Sequence, residues 1–431
     1  MIDLIQDSIK ELKLHNAKKR EDHIEKLLDY YNGNDTANYI SRMFAGSAFS
    51  EIPPVETNIT RKFINKMSRI YTIGAIRNVN DKYNELTILK NARMKHIERM
   101  TRLCGTIATR VVMVDGDMPY FDYRPIYFFH VNFEDDPFTP KSISYPVLQP
   151  VEDTSKVEKL QYAYWDKERY LLMDEDGVIL DEIPHNYGVL PFIFTHRENQ
   201  TDSFYVEGAN DIVNANEHIN IAMTEMQLGL RFQMFGQPVM TGAEMGNKQR
   251  TGSDVTLELP EGSTYEIVAP QGNVEGVIEN VKFLVELVAQ NNHLWVQWSE
   301  QGGEVPSGIS LMIKDLERSE DYQDDLELWR MYEYELYRVE RQVAASFVSL
   351  PSDLGLDFKE PEYPKTVQDQ ILWDKHRLEL NLINEVGLLM EYNNDLTQEQ
   401  AELTIASNKQ RNQKLSIFEK ARQAAQRTAE V

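Results

Sequence analysis

The chain's most distinctive charge pattern lies between residues 273 and 313, where Lys282 is the only lysine or arginine. Glu279 lies three residues before Lys282 and Glu286 four residues after it, so a helix brings the three side chains to one face. The glutamates of this stretch are Glu275, Glu279, Glu286, Glu300 and Glu304. Such a surface repels polyanions. An ordinary amphipathic helix with an acidic polar side is the alternative interpretation.

A glycine-rich segment follows this stretch, and its composition excludes regular secondary structure. Its sequence is Gln301-Gly302-Gly303-Glu304-Val305-Pro306-Ser307-Gly308. The glycines and the short side chains predict a movable loop suited to weak contacts that ignore nucleotide sequence. A plain connection between two helices is the alternative, although such connections usually need fewer residues. Trp295 and Trp298 precede the loop and are expected to anchor its base as core residues, with an exposed binding role as the alternative.

Residue patterns for catalysis or cofactor binding are missing from the sequence. It contains no P-loop, no glycine-rich dinucleotide fingerprint, no HExxH and no GxSxG. The nine histidines are scattered, and Cys104 follows an apolar helix with no nearby base, which favours a buried structural thiol. Asp174 and Asp176 resemble the start of a calcium loop, but the later ligand positions are missing, so a hairpin turn is favoured. We therefore expect a protein that is not an enzyme and holds no metal or cofactor.

Composition excludes several further classes of protein. The 431 residues suffice for about three domains. With 69 acidic and 45 basic residues the net charge is −24, which excludes tight binding of nucleic acid through a broad basic face. A single cysteine cannot form an internal disulfide, which indicates a reducing compartment. The sequence has neither a signal peptide nor a membrane span, so we expect a soluble, unexported protein.

Hydrophobic periodicity predicts helices up to about residue 104 and again after 205, with β hairpins between 105 and 197. Two runs follow a heptad spacing and predict a pair of packed helices. The first run lies in 207–235 and has small residues at alternate seam positions: Ile212, Ala215, Ile219, Ala222, Met226 and Gly229. The second lies in 274–298: Ile278, Val281, Val285, Val288, Asn292 and Trp295. The pair encloses a turn-rich insert over 236–273.

A very long helix is predicted from about Ser310 past Phe347. Its apolar face consists of Tyr322, Leu326, Trp329, Tyr332, Leu336, Val339 and Val343. Prolines over 351–365 predict a linker, and 366–431 predicts a helical region with a disordered end. The predicted fold class is α+β and predominantly helical, with a β-rich part.

The order of these parts resembles the portal (head–tail connector) proteins of tailed bacteriophages, and the resemblance covers about residues 20–410. One stretch that carries it is Tyr71-Thr72-Ile73-Gly74. A second is the helix with Asn214, Glu217, His218 and Asn220, which leads into Gln237-Pro238-Val239-Met240-Thr241-Gly242. A third is Glu304-Val305-Pro306-Ser307-Gly308 before a helix near Leu311. The last comprises Leu382-Ile383-Asn384-Glu385-Val386-Gly387 and Leu396-Thr397-Gln398-Glu399-Gln400-Ala401.

The resemblance implies a portal architecture of wing, stem, clip and crown. The wing would comprise 1–205 with its β hairpins, together with the long helix of 310–350. The stem helices would be 206–235 and 274–298, the clip 236–273, the tunnel loop 299–309 and the crown 366–431. The implied channel lining is Glu275, Glu279, Lys282, Glu286, Gln301, Gly302, Gly303, Glu304, Val305 and Ser307. Lys248 and Arg250, the clip's basic residues, would meet an acidic partner or be solvated.

The resemblance also implies a function and partners. Portals form a ring of about twelve copies at one capsid vertex. Double-stranded DNA passes through the ring during packaging and ejection. The implied partners are the terminase large subunit, the major capsid and scaffolding proteins and head–tail adaptor proteins, with no membrane. The protein would be in the host cytoplasm during assembly and then in the virion. There are two alternatives. The chain could be another ring-forming collar or adaptor protein, or a cytoplasmic enzyme with its site in the β region.

Overall fold

The computed structural model describes residues 9–45, 53–133, 135–148, 160–200, 202–235, 237–241, 262, 264–268, 274–294, 296, 316–359, 367–393 and 396–412. These residues belong to two compact units. The first contains the described residues up to 296 together with 316–359, and the second contains those from 367 to 412.

The helices of the first unit are α1 His15–Asn32, α2 Thr36–Met43, α3 Ile59–Met67, α4 Ile70–Ile73, α5 Asp81–Leu86, α6 Lys90–Cys104, α7 Asn210–Phe235, α8 Val274–Asn291 and α9 Leu316–Val343. Its strands are β1 Ala75–Asn78, β2 Thr106–Val114, β3 Tyr120–Ile126, β4 His130–Phe133, β5 Pro140–Leu148, β6 Leu160–Trp165, β7 Arg169–Met173, β8 Ile179–Pro184, β9 Phe192–His196, β10 Gln237–Thr241, β11 Thr264–Val268 and β12 Gly355–Phe358. The second unit contains α10 Val367–Glu379, α11 Glu385–Tyr392 and a further helix, α12, over 398–412.

The predicted β region is confirmed as two antiparallel sheets. One has three strands in the order β3-β2-β9, and the other has five in the order β4-β5-β6-β7-β8. The hairpin predicted around Asp174 joins β7 to β8. The Asp174 carboxylate accepts hydrogen bonds from the backbone N–H groups of Asp176 and Val178, at 3.0 and 2.8 Å. A side chain that accepts hydrogen bonds from backbone N–H groups two and four residues later in the chain stabilises a tight turn.

Both faces of the five-stranded sheet are covered by apolar residues. The N-terminal helical turn over 9–13 buries Ile9 and Leu12 against one face, where Leu171 and Met173 lie. The other face joins the three-stranded sheet through an aromatic cluster that contains Phe129, Phe192 and Phe204. These contacts complete the β-rich part of the first unit.

The chain enters and leaves the β region at one crossing, where two glycines are required. A Cβ at Gly105 would lie 2.1 Å from the Val206 carbonyl oxygen, and one at Gly208 would lie 2.2 Å from that of Leu103. Gly105 also has φ +83, a backbone conformation that suits glycine. The backbone N–H of Ala209 donates to the Leu103 oxygen at 2.9 Å, so α7 starts directly against the end of α6.

The apolar face predicted for the long helix is confirmed, because all seven of its residues are buried in α9. The predicted C-terminal end was too late: α9 ends at Val343, and turns follow over 344–347. The backbone there changes to short-range bonds such as that from Phe347 N–H to the Ala344 oxygen. Residues 311–315, at the predicted start, lie outside the described residues.

The predicted linker 351–365 contains a strand, β12, which sequence reasoning missed. β12 pairs antiparallel with β1, with Ala75 opposite Phe358 and Asn78 opposite Gly355. Phe358 is buried in the main core, so this segment is part of the first unit. The helices predicted after 366 are confirmed within the described residues, whereas the end predicted to be disordered, 413–431, lies outside them. The fold is α+β, as predicted.

Candidate functional site

The two helices predicted to carry the candidate site, α7 and α8, form an antiparallel pair, and β10 and β11 lie between them in the chain. α7 matches its predicted range closely, and its Ile212 and Ile219 are buried. The seam prediction was wrong at its far end, where Ile278 is 42% exposed and Gly229 is also exposed. A Cβ at Gly229 would touch nothing within 4 Å. Burial therefore decreases along the pair from the end that joins the main core.

α8 ends at Asn291, seven residues before its predicted end at 298. His293 has φ +51, and the Leu294 N–H donates to the Ala289 oxygen at 2.7 Å. A residue in the left-handed region closes a helix in this way. Leu294 then packs into the core, while Trp295 and Trp298, predicted to be core, lie outside the described residues.

The predicted charged face lies on the solvent side of α8. Glu275, Glu279 and Lys282 are exposed, and Glu286 is half-buried. An adjacent side of α8 packs into the core through Val285 and Ala289. We call the four charged residues the acidic stripe. Solvent reaches all of them, Glu286 least.

An exposed apolar strip lies beside the acidic stripe on the same helix. It consists of Phe283, which is 59% exposed, and Leu287, which is 41% exposed. Since α8 has 3.6 residues per turn, Phe283 and Leu287 lie next to each other one turn apart. A surface with apolar and charged strips side by side can contact a second protein with one strip and leave the other in water.

The remaining predicted site residues lie outside the described residues. They are Gln301, Gly302, Gly303, Glu304, Val305 and Ser307 of the predicted tunnel loop, and Lys248 and Arg250 of the predicted clip. Within the predicted clip, the structure describes one antiparallel pair, β10 with β11, in which Gln237 lies opposite Val268. The alternating run 255–259 predicted as a strand also lies outside the described residues.

The core end of the hairpin is fixed by polar contacts. Asn292, predicted as a seam residue, is buried and donates through Nδ2 to the Asp211 carboxylate at 3.0 Å. This bond joins the C-terminal end of α8 to the first turn of α7. Glu217 of α7 pairs with Lys26 of α1 at 2.9 Å. The orientation of the hairpin is thereby set by the helices around its base.

An extended strap over 53–58 runs along α7 and is held by a ladder of buried polar side chains. Asn220 Oδ1 accepts hydrogen bonds from the Thr57 N–H at 2.9 Å and from the Thr57 hydroxyl at 2.7 Å. Thr224 Oγ1 accepts from the Val55 N–H at 2.9 Å. Asn216 Oδ1 accepts from the N–H of Ile59, where α3 begins, at 3.2 Å. The spacing of four residues between the ladder's members places them on one face of α7.

A buried ion network, which sequence reasoning missed, holds α9 to the rest of the first unit. Glu333 accepts a hydrogen bond from Arg77 Nε at 2.8 Å and lies 3.3 Å from Lys90 Nζ. Lys90 also donates to Glu340 at 2.8 Å. The two carboxylates and two cations balance in charge, which a buried cluster requires. The available signal was the presence of two glutamates seven residues apart beside an apolar helix face.

Tyrosine hydroxyls complete this network. Tyr71 donates to Glu333 at 2.7 Å, and Tyr83 and Tyr123 donate to Glu340 at 2.7 and 2.5 Å. Burial alone would raise the pKa of the Glu333 carboxyl, but the charges of Lys90 and Arg77 outweigh it and hold the pKa at about 2. Burial raises the pKa of each tyrosine well above its usual value. The network thus keeps Glu333 ionised and its three tyrosines protonated.

The groups considered for other chemistry are buried or structural. Cys104 is buried, as predicted, and burial raises the pKa of its thiol to about 12, which makes it a poor nucleophile. His196 is also buried, and burial lowers its pKa to about 4. In the part of the chain that the structure describes, no cluster of three or more His, Cys, Asp or Glu side chains is arranged to hold a metal ion. None of the described helices combines the length and hydropathy of a membrane-spanning segment.

Comparison with known proteins gives structural likeness alone. No family model and no curated protein matches the chain. Among solved structures, it is similar to a chain from the neck of the native gene transfer agent (GTA) particle, computed with C12 symmetry, at TM-score 0.38 and 11% identity over 81% of this chain and 90% of that one. It is also similar to a chain from the virion of the native GTA particle, at TM-score 0.39 and 11% identity over 82% of this chain and 92% of that one.

Proposed function

We propose that the chain is the portal protein of a tailed phage or phage-like particle. In this role, about twelve copies form a closed ring at one capsid vertex. The ring surrounds double-stranded DNA as it is packaged and ejected, and α7 and α8 form its stem. The role is structural, with no catalytic step and no cofactor. The protein assembles in the host cytoplasm and remains in the virion.

The observation that carries the proposal is the acidic stripe on the solvent side of α8. DNA that must slide cannot form ion pairs with the wall of its channel, because each step would have to break them. Glu279 and Glu286 repel phosphates, and Lys282 between them keeps the repulsion moderate. In a ring these residues would stack as bands of charge around the bore.

The exposed apolar strip of Phe283 and Leu287 supports the same arrangement. An apolar strip beside a charged stripe gives α8 one side for a neighbouring copy and one side for the bore. Copies related by rotation make such head-to-tail contacts with two different surfaces of the chain, and the contacts close into a ring. Burial of the strip against a neighbouring copy would also explain why these apolar side chains are exposed on the single chain.

The partners proposed for the ring follow from this position at the vertex. They are the terminase large subunit, the major capsid and scaffolding proteins, and the head–tail adaptor proteins. Lys248 and Arg250 are proposed to contact an acidic partner at the clip. The loop around Gly302 and Gly303 is proposed to touch DNA.

Negative-stain images of the purified protein, viewed along its axis, test the proposal. The expected image is a ring of about twelve copies with a central hole. A compact monomer in solution would contradict the proposal and favour the enzyme alternative. A ring that joins the particle elsewhere than at a capsid vertex would identify a collar or adaptor protein instead.

A further inference from the structure

Strand β8 forms an open edge of the five-stranded sheet. Among the described strands, β7 is its single neighbour, and all six of its residues are exposed. Its large aliphatic side chains are exposed as well: Ile179 is 41%, Leu180 50% and Ile183 51% exposed, and Val178 just before the strand is 57% exposed. Such an edge presents backbone hydrogen-bonding groups to solvent and can template the pairing of another strand.

Features that protect a sheet edge are present on both outer strands of the three-stranded sheet and on β4, the other outer strand of the five-stranded sheet. The backbone N–H of His196 in β9 donates to the Tyr332 hydroxyl of α9 at 3.0 Å, so it is not available to pair with a further strand. The Val131 N–H of β4 donates to the Tyr205 hydroxyl at 3.2 Å. β3 contains Pro125, which cannot donate to a ladder. No such hydrogen bond covers β8 among the described residues, and its one proline, Pro184, is the last residue of the strand, so the backbone of 179–183 is open to pairing.

The charge around β8 selects the kind of strand that can bind. Asp181 and Glu182 lie within the strand and are exposed, and Glu175 and Asp176 are exposed in the preceding turn. A second copy of β8 would place these carboxylates opposite carboxylates, and like charges at opposite positions destabilise a strand pair. A strand with lysine or arginine among aliphatic residues would instead match both the charges and the apolar side chains.

We propose that β8 is a docking edge for an extended, basic segment of another protein, which adds to the sheet as a sixth strand. The backbone of β8 would supply the affinity, and its acidic and aliphatic side chains the specificity. Such a segment could reach the edge without any change in the sheet. The proposal does not depend on DNA passage, because β8 takes no part in the acidic stripe.

The strand register shows which groups would bind the partner. The His185 N–H donates to the Glu168 oxygen at 2.7 Å, and β7 and β8 continue in register with Leu171 opposite Glu182. Hydrogen-bonded pairs alternate along an antiparallel ladder, so the backbone N–H of Glu182 points away from β7. Proline at this position would remove a bond to the partner and keep the bonds to β7.

The test uses a fluorescent synthetic peptide of about six residues, the usual strand length, that alternates lysine and valine. Fluorescence anisotropy with the full-length wild-type protein measures binding, and hydrogen exchange locates the site. The expected result is saturable binding with slowed exchange of the backbone amides over 178–184. The same peptide with alternate amides N-methylated is expected not to bind, because it cannot complete the ladder. A peptide that alternates glutamate and valine is also expected not to bind.

Two variants at one position separate backbone pairing from charge. Glu182→Pro is expected to weaken peptide binding about fivefold or more, the effect of losing one hydrogen bond. Glu182→Gln keeps the backbone N–H and is expected to weaken peptide binding less than Glu182→Pro does. Equal binding of the N-methylated peptide, no binding of the lysine–valine peptide, or protection elsewhere in the chain would each overturn the proposal. The exchange measurement on the wild-type protein decides this even if the proline variant does not fold. Ring formation, measured separately, reports on the proposed function alone.

Discussion

Lys90 Nζ lies 2.8 Å from Glu340 Oε1, although the two residues are 250 positions apart in the chain. Both side chains are almost completely buried. The contact joins the start of α6 to the last third of α9, the helix that follows the predicted tunnel loop. Removing the cation would leave two carboxylates, Glu340 and Glu333, short of positive charge in the core.

We therefore expect Lys90→Met to destabilise the protein by about 3–5 kcal/mol, the usual cost of leaving buried charge unpaired. Urea unfolding followed by tryptophan fluorescence measures this cost. Lys18→Met is the matched control, because Lys18 pairs with Glu21 at 3.2 Å on the surface. The control should change the free energy of unfolding by less than about 1 kcal/mol. Equal effects of the two substitutions would show that the buried network does not stabilise α9.

Two buried groups predict separate pH windows for the loss of stability. Burial lowers the pKa of His196 from 6.5 to about 4. The unfolded chain binds a proton there first, so stability falls as pH decreases from about 6.5 to 4. The pKa of Glu333 is held at about 2 against a usual 4.5, so its stabilisation is present above pH 4.5 and is lost as pH falls toward 2. Each shift corresponds to about 3 kcal/mol.

Unfolding free energies measured at several pH values test these windows. His196→Gln should flatten the curve between about pH 6.5 and 4 and leave the lower window unchanged, whereas Glu333→Gln should flatten only the window below about 4.5. The slope of the curve is the informative quantity, since each substitution also lowers stability at neutral pH. A His196→Gln variant with the wild-type slope above pH 4.5 would show that folding does not lower the pKa of His196.

The ladder on α7 predicts a local effect on the strap. Asn220→Ala removes the acceptor of two Thr57 hydrogen bonds, which should destabilise the protein by about 1–3 kcal/mol. Hydrogen exchange should become faster at 55–59 before it does so elsewhere. Asn214→Ala on the same helix is the control, because Asn214 is exposed. If exchange over 55–59 stays as slow as in the control variant, the ladder does not hold the strap.

The acidic stripe predicts a gain of DNA affinity when its charge is reversed. The double substitution Glu279→Lys, Glu286→Lys should make the purified protein bind double-stranded DNA, with a steeper dependence on salt. The slope of log affinity against log salt rises by about 0.9 for each phosphate neutralised. Glu85→Lys, Glu168→Lys gives the same net charge on other exposed positions. Equal affinities and slopes for the two proteins would show that the gain reflects net charge and not the position of the stripe.

Local patterns in the sequence predicted the elements well. The seven apolar positions of α9 are all buried, and the turn at Asp174 forms the predicted hairpin. Both depend on residues close together in the chain, where spacing alone fixes which side chains share a face or bond a turn.

Contacts between distant residues could not be predicted in this way. Local spacing gave no indication that Glu333 is part of a buried ion pair, because its partner Arg77 is 256 positions away. The early end of α8 depends on the positive φ of His293, a residue that ordinarily continues a helix. The exposure of Ile278 likewise became visible only with the packing of α7 against α8. For the candidate site, spacing was enough to place Glu279, Lys282 and Glu286 close together on one helix, whereas the exposed apolar strip beside them required the structure. Their role as a channel lining stays a prediction.

A density map of the assembled protein at side-chain resolution would show directly whether the acidic stripe lines a channel. The portal proposal predicts a closed ring in which Glu279 and Glu286 of every copy face the bore, with Phe283 against the neighbouring copy. A ring whose bore is lined by arginines, or one in which these glutamates point away from the axis, would contradict the account.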